Sequence, residues 1–392
     1  MKVRPLNDER ELLAIVPAWR ELFARVACPQ VVQSPVWALE WWREFGGDEG
    51  RAMHALAFEE PEGRLVGLAL LCSRRVLRRR VVPIRRLEVW MSGEPREHEI
   101  FSEYLGLLAE AGAEQSVARA LADALHEGRV GPFEQLLIAR GAHDDPVLVA
   151  LAEALRERGF EVARPVRWSS AYAKLPDTWE AYLAGRSKNQ RHQLRLSLKE
   201  LDAWAAGAPV ELCAASDRRS ALDALAILRA LHGARWEKEH PGGVFASPRF
   251  SRFHERVLPE LVEQGLGELI WLRVGERPVA AFYNLVVGGR TQAYLGGRVV
   301  EGVPHRLSLG TAAHALAIQR CIARGDREYD LLSGGATYKE RFTTDVRELS
   351  DLVAWSPSLR GRLTGTVVRV AERVLSLGRG VPSRERTTRA VE

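Results

Sequence analysis

Apolar and polar positions along this 392-residue chain alternate with a period of two in several short runs and with helical spacing in others. In the first half, Ala52–Glu59 alternates as a strand, Pro61-Glu62-Gly63 turns the chain, Arg64–Cys72 forms a second strand and Pro83–Met91 a third. The second half repeats the pattern. Glu268–Val274 is followed by the Gly275-Glu276-Arg277 turn, then Pro278–Val287, the Gly288-Gly289-Arg290 turn and Thr291–Gly296. After each meander comes alternation of helix and strand: Ser116–His126, Phe133–Ala139, Pro146–Gly159 and Phe160–Val166 in the first half, then Leu307–Arg324 and Glu328–Leu332 in the second. Strands followed by alternating helix and strand predict an α+β (mixed α/β) sheet in each of two lobes. The boundary is expected near Arg164–Pro176, giving lobes over 1–168 and 169–357. Beyond Pro357, Leu363, Val367, Val370, Val374 and Leu377 recur at helical spacing among Arg360, Arg362, Arg369 and Arg373. They predict a basic amphipathic helix and tail over 358–392. That helix packs on the body or touches an anionic membrane surface.

Composition narrows the class. A hydrophobic fraction of 46% with 27% charged residues is that of a globular protein. The four cysteines, Cys28, Cys72, Cys213 and Cys321, have no CxxC spacing, so neither a disulfide framework nor a metal site is expected. The N-terminal residues lack the apolar core of a signal peptide, and no window approaches the roughly 20 apolar residues of a membrane span. The expected location is the cytoplasm, with peripheral contact to the inner membrane through the C-terminal helix. A net charge of +5 favours anionic partners without arguing for nucleic acid by itself.

Three segments carry candidate chemistry. Ser187 followed by Gln190 reads as a capping box that opens a helix. On that helix Lys188, Arg191, Arg195 and Lys199 form a cationic stripe suited to phosphate or carboxylate groups, or simply a solvated face. Next, Leu231–Gly243 holds His232, Arg235, Trp236 and His240; Trp236 beside Arg235 suits a planar or sugar-like group. The third is the most specific. Asp330 lies near the end of a strand, Ser333-Gly334-Gly335 makes a tight turn, and Tyr338 and Lys339 bring a phenol and an amine close by. Asp330, Glu268 and Glu340 are alternative general bases. Tyr294 is a candidate lining residue, and Asn284 either orients a carbonyl or satisfies a backbone group. Ahead of the helix Ala312–Arg324, the run Pro304–Thr311 offers free backbone N–H groups suited to a pyrophosphate.

On Arg186-Ser187-Lys188-Asn189-Gln190-Arg191, Leu231–Trp236, Pro278-Val279-Ala280-Ala281 and Asp330–Phe342, the second half resembles the GNAT-superfamily acyltransferase domain of CelD/BcsL-like proteins. Those are related in fold to FemAB-type peptidyl transferases. Gln33–Trp37 and Trp41–Gly46 resemble the start of such proteins. The resemblance implies two tandem GNAT-like lobes, each a mixed antiparallel and parallel sheet flanked by helices. It implies an N-acyltransferase that uses acyl-CoA, acetyl-CoA foremost, with no metal. The acceptor would be an amine of a sugar or cell-envelope precursor. Cofactor contacts would fall on Arg306, Ser308, Gly310 and Thr311, although the usual Arg/Gln-x-x-Gly-x-Gly/Ala pattern is degenerate there. Two alternatives stand beside it: FemAB-like aminoacyl transfer from charged tRNA to a peptidoglycan-type precursor, and a non-catalytic protein that binds an anionic glycan or lipid.

Overall fold

The computed structural model describes residues 1–78, 82–236, 242–334 and 337–377, with side chains for all of these except 78, 235–236 and 371–377. The chain opens with β1 (Lys2–Leu6), α1 (Glu9–Ala14), α2 (Val16–Arg25), α3 (Pro35–Phe45), β2 (Ala52–Glu59), β3 (Leu65–Arg78) and β4 (Val82–Val89). It continues through β5 (Leu108–Ala109), α4 (Glu114–His126), β6 (Gln135–Ala142), α5 (Pro146–Glu157), β7 (Glu161–Ala163) and β8 (Val166–Lys174). Then come α6 (Trp179–Ala184), α7 (Lys188–Ala205), β9 (Val210–Ala214), α8 (Arg218–Trp236) and α9 (Pro248–Glu263). The strands β10 (Gly267–Val274), β11 (Arg277–Val287) and β12 (Arg290–Arg298) lead to α10 (Leu309–Arg324) and β13 (Glu328–Ser333). A 3-10 turn (Thr337–Arg341), β14 (Asp345–Trp355) and α11 (Leu359–Leu377) complete it.

Two compact units result. The first holds Met1–Glu94, Ile100–Trp168 and the segment from Glu348 through α11; the second holds Pro95–Glu99 and Ser169–Arg347. The Arg164–Pro176 stretch, where the boundary is expected, contains β8, and the division falls inside that strand.

In the first unit, β1, β2, β3 and β4 pair antiparallel, β4 pairs parallel with β6, and β6 pairs antiparallel with β14. Its core is rich in tryptophan. Trp19, Trp37, Trp41 and Trp90 are fully buried, and the Trp19 and Trp90 indole N–H groups donate to the carbonyls of Gln33 (3.1 Å) and Leu71 (2.9 Å). Ser34 caps α3 by accepting from the Trp37 N–H, with Pro35 in the first turn, where its missing N–H costs nothing. At the end of the parallel β4/β6 pair, the buried Glu88 carboxylate is clamped by Arg74 (2.6 Å) and Arg51 (3.9 Å). The expected C-terminal helix, α11, belongs to this unit. A Cβ at Gly365 would come within 3.1 Å of the Trp355 ring, so the glycine lets the helix lie close against β14.

The second unit repeats the arrangement. β9, β10, β11 and β12 pair antiparallel, β12 pairs parallel with β13, and β13 pairs antiparallel with β8. Helix α10 forms the crossover between the parallel strands, and its buried alanines, Ala312, Ala313, Ala315 and Ala317, let it lie near the sheet. Helix α7 begins as its sequence predicts. Ser187 Oγ accepts from the Gln190 N–H (3.2 Å) and Gln190 Oε1 from the Ser187 N–H (3.0 Å), a box worth about 1 kcal/mol. His254 of α9 is fully buried beside Tyr283 and Tyr294, and burial pushes its imidazole down to about 3, so it is neutral.

Candidate functional site

The parallel strands β12 and β13 share only three register pairs: Arg290 with Glu328, Thr291 with Tyr329 and Gln292 with Asp330. Beyond them β12 runs on to Arg298 and β13 to Ser333, and among the described residues the two strands no longer pair. Both are irregular at this level. On β12 the register against β11 jumps between Tyr283–Leu295 and Asn284–Ala293, so Tyr294 is a bulge residue that bends the strand. On β13 the pairing with β8 shifts between Asp330 and Ser333, and Leu332 sits at φ 58°. The result is a wedge between two strands, open toward their C-terminal ends.

Its closed end is fastened by charge. Glu268 of β10 accepts from Arg320 (2.8 Å) and Arg324 (2.7 Å), and Asn284 donates to its other oxygen (3.3 Å). Arg324 also bridges to Asp326 (2.6 Å) and donates to Thr291 Oγ1 (2.7 Å), which in turn donates to Asp326 (2.6 Å). Glu268, one of the three alternative general bases, is therefore corrected to a structural anion.

At the open end lies the N-terminus of α10. A Cβ at Gly310 would meet the Arg298 side chain of β12 at 3.5 Å, which puts the helix start beside the end of that strand. Arg341, eight residues past β13, donates from Nη1 to Thr311 Oγ1 (2.7 Å) and to Ser308 Oγ (3.1 Å); the two hydroxyls are 2.7 Å apart. Among the described residues, none accepts from the first-turn N–H groups of Leu309, Gly310 and Thr311. Backbone donors, two hydroxyls and a guanidinium at a positive helix end form a site for a phosphate or diphosphate. It fits the anionic part of an acyl-CoA even though Leu309, at a glycine position of the degenerate pattern, is buried in the core.

An aromatic group lines the wedge on the α10 side. The Tyr338 ring stacks on His314 (5.6 Å between centroids), and His314 Nδ1 lies 2.9 Å from the Tyr329 hydroxyl. Phe282 packs against the same imidazole at 4.4 Å. Burial raises the Tyr329 phenol well above its ordinary range.

Asp330 and Lys339 sit where the sequence brought them but in other roles. Asp330 is fully buried; its Oδ1 accepts from Ser170 Oγ (2.7 Å) and the Leu332 N–H (2.8 Å), and Arg347 lies 3.6 Å from Oδ2. A carboxylate so engaged is a brace for backbone, which corrects its reading as an acid or base. The buried Lys339 ammonium donates to the carbonyls of Leu332 (3.2 Å) and Ser333 (2.9 Å) and lies under Gly334, whose φ is 129°. Together they hold the strained turn after β13.

The other expected residues separate. Lys188, Arg195 and Lys199 are exposed on α7 with His192, while Arg191 leaves the stripe to donate to the Ala184 (3.2 Å) and Arg186 (2.8 Å) carbonyls. Arg306, the expected cofactor arginine, is exposed and paired with Glu200 of α7 at 2.6 Å. Tyr294 is buried with its hydroxyl 3.1 Å from His254 Nε2, so it is a core residue and not a lining one. Glu340 is exposed. Gly335 and the side chains of Arg235 and Trp236 lie outside the described residues. Among those described, no group of three or more His, Cys, Asp or Glu is placed to hold a metal. Arg341 and His314 were not singled out from sequence. The spacing of Tyr338 and Arg341, three apart in a tight helical turn, was the available signal.

Residues 188–340, within the second unit, match the family model described as an acetyltransferase (GNAT) domain. Among solved structures the chain is similar to FemX, with a TM-score of 0.61 and 11% identity over 94% of this chain and 100% of that one. A conserved protein of unknown function from Bacteroides thetaiotaomicron gives 0.51 at 9% identity, over 91% and 100% of the two chains. The C-terminal domain of a putative lysylphosphatidylglycerol synthetase from Agrobacterium fabrum gives 0.51 at 8%, over 90% and 95%. At such identities these likenesses establish the fold alone. No curated protein matches the chain.

Proposed function

We propose that this chain is an N-acyltransferase of the CelD/BcsL-like type, transferring an acyl group from acyl-CoA to an amine of a sugar or cell-envelope precursor. The observation that carries the reading is the parting of β12 and β13 beside the α10 N-terminus, with Arg341, Ser308 and Thr311 gathered at its mouth. Acyl-CoA supplies an acyl group activated as a thioester. The Gly310 and Thr311 N–H groups, the Ser308 and Thr311 hydroxyls and Arg341 would hold its diphosphate. The stretch of β12 beyond its pairing with β13 would offer backbone N–H groups to the acyl carbonyl, fixed before the reaction and so costing no reorganisation during it. His232 supports that edge through its Nδ1, 2.9 Å from the Gly296 carbonyl. The Tyr338 phenol, its ring set by His314, would protonate the leaving thiolate, and the phenoxide so formed would take up the proton that the attacking amine loses, so that one proton passes from nitrogen to sulfur overall. Asp330 and Lys339 act as positioning residues for the turn.

One observation favours aminoacyl transfer from charged tRNA as a second reading. The exposed cations of α7, Lys188, Arg195 and Lys199, present a basic face suited to a polyanion.

Thiol release by the purified chain, supplied with acetyl-CoA and a panel of amino sugars, tests both. Tyr338→Phe is expected to lower kcat by about 100-fold with acetyl-CoA binding unchanged. An unaltered rate removes the phenol from the mechanism. Absence of thiol release, together with tRNA binding that weakens steeply with salt, transfers the case to the second reading.

A further inference from the structure

We propose that α11 docks the protein on an anionic lipid surface. The helix has two faces of different character. Gly361, Gly365 and Val368 are buried, while Leu359, Leu363, Val367 and Val370 are 82%, 68%, 53% and 55% exposed. Spaced by four, four and three residues, these four fall on one stripe turned away from the packed face. Among the described residues, no other helix or strand exposes more than one large apolar side chain. Scattered exposed leucines and valines are ordinary, but a continuous stripe is the mark of an interaction surface.

Charge identifies the occupant. From Leu359 to Glu392 the sequence holds eight arginines and three glutamates, an excess of +5 that equals the net charge of the whole chain. Everything before α11 is therefore balanced, and the positive charge is concentrated on the segment that bears the stripe. Arg360 and Arg362 flank Leu359 and Leu363. Arg362 is exposed, and Arg360 remains 72% exposed while it reaches Glu134 at 2.9 Å. A second copy of the chain on this stripe would bring two such basic segments together, whereas acidic lipid headgroups neutralise them. No described helix is long and apolar enough to cross a membrane, so α11 would lie in the interface plane, with the stripe among the acyl chains and the arginines at headgroup level.

Flotation of the full chain with vesicles tests this. With vesicles containing roughly one-third phosphatidylglycerol the protein is expected to float, and its bound fraction should fall at least about tenfold on pure phosphatidylcholine. The double substitution Leu363→Ser, Val367→Ser should lower binding to the anionic vesicles by a similar factor. Both side chains point outward, so its thermal unfolding midpoint should match the unaltered protein's. Failure to float with anionic vesicles would overturn the proposal, as would equal binding by the double variant. Self-association abolished by that variant, with no lipid binding, would also overturn it and assign the stripe to a second copy.

Discussion

Arg324→Met is expected to destabilise the second unit by about 3 kcal/mol, the low end of the range for breaking a buried ion pair. Arg324 is the hub of the network at the closed end of the wedge, bonded to Glu268, Asp326 and Thr291 at once. Its two anionic partners are nearly inaccessible, with side-chain exposures of 8% and 6%, while the arginine itself is one-third exposed, which keeps the loss at the low end. Methionine fills the stem's volume but leaves Asp326 with only the Thr291 hydroxyl, and Glu268 with Arg320 and the Asn284 amide. For a unit of this size the loss corresponds to a fall in Tm of roughly 6–12 °C. Arg320→Met, which removes one half-exposed partner, should cost under about 1 kcal/mol. Thermal denaturation of the two variants side by side checks the ranking; equal losses would show that Arg324 is not the hub.

Lys339→Met should lower turnover at least about 100-fold, with a stability loss of about 2 kcal/mol from two charge-assisted hydrogen bonds. The ammonium satisfies the carbonyls of Leu332 and Ser333 in a turn whose backbone is already strained at Leu332. Without it the turn relaxes and the β13 side of the wedge loses its shape. A positioning role and a proton-transfer role differ in their readout. If Lys339 positions, residual activity keeps the shape of the wild-type pH–rate profile and the loss falls on kcat. Disappearance of the alkaline limb would instead make the amine a proton carrier.

How far these features could be read from sequence depended on whether the signal was local. The meander strands and the Ser187–Gln190 box rest on alternation, turn glycines and a three-residue spacing, and they appear within a residue or a few of where they were expected. Strands β8 and β14 were not anticipated. Val166–Lys174 is polar, lies between prolines and is stabilised by partners more than 150 residues away, so it resembles a linker. Asp345–Trp355 begins with charged residues and draws its order from β6 and β7. The candidate site was found as a segment but not as a set of roles. Adjacent in sequence, Tyr338 and Lys339 diverge in the 3-10 turn, one toward His314 and the other under the Gly334 backbone. Arg191 fits the cationic stripe by spacing, yet the carbonyls of Ala184 and Arg186 were nearer than any ligand. Arg341 stands where Arg306 was expected, because Arg306 meets Glu200 and Arg341 meets two hydroxyls at the helix start.

The most direct measurement is a calorimetric titration of acetyl-CoA into the full chain and into Arg341→Ala. The account predicts saturable binding in the micromolar range, at about −7 to −8 kcal/mol. It predicts at least about tenfold weaker binding in Arg341→Ala, with thermal stability unchanged. Absence of binding by any acyl-CoA, or equal affinity in the two proteins, would contradict a donor site at the mouth of the β12/β13 wedge.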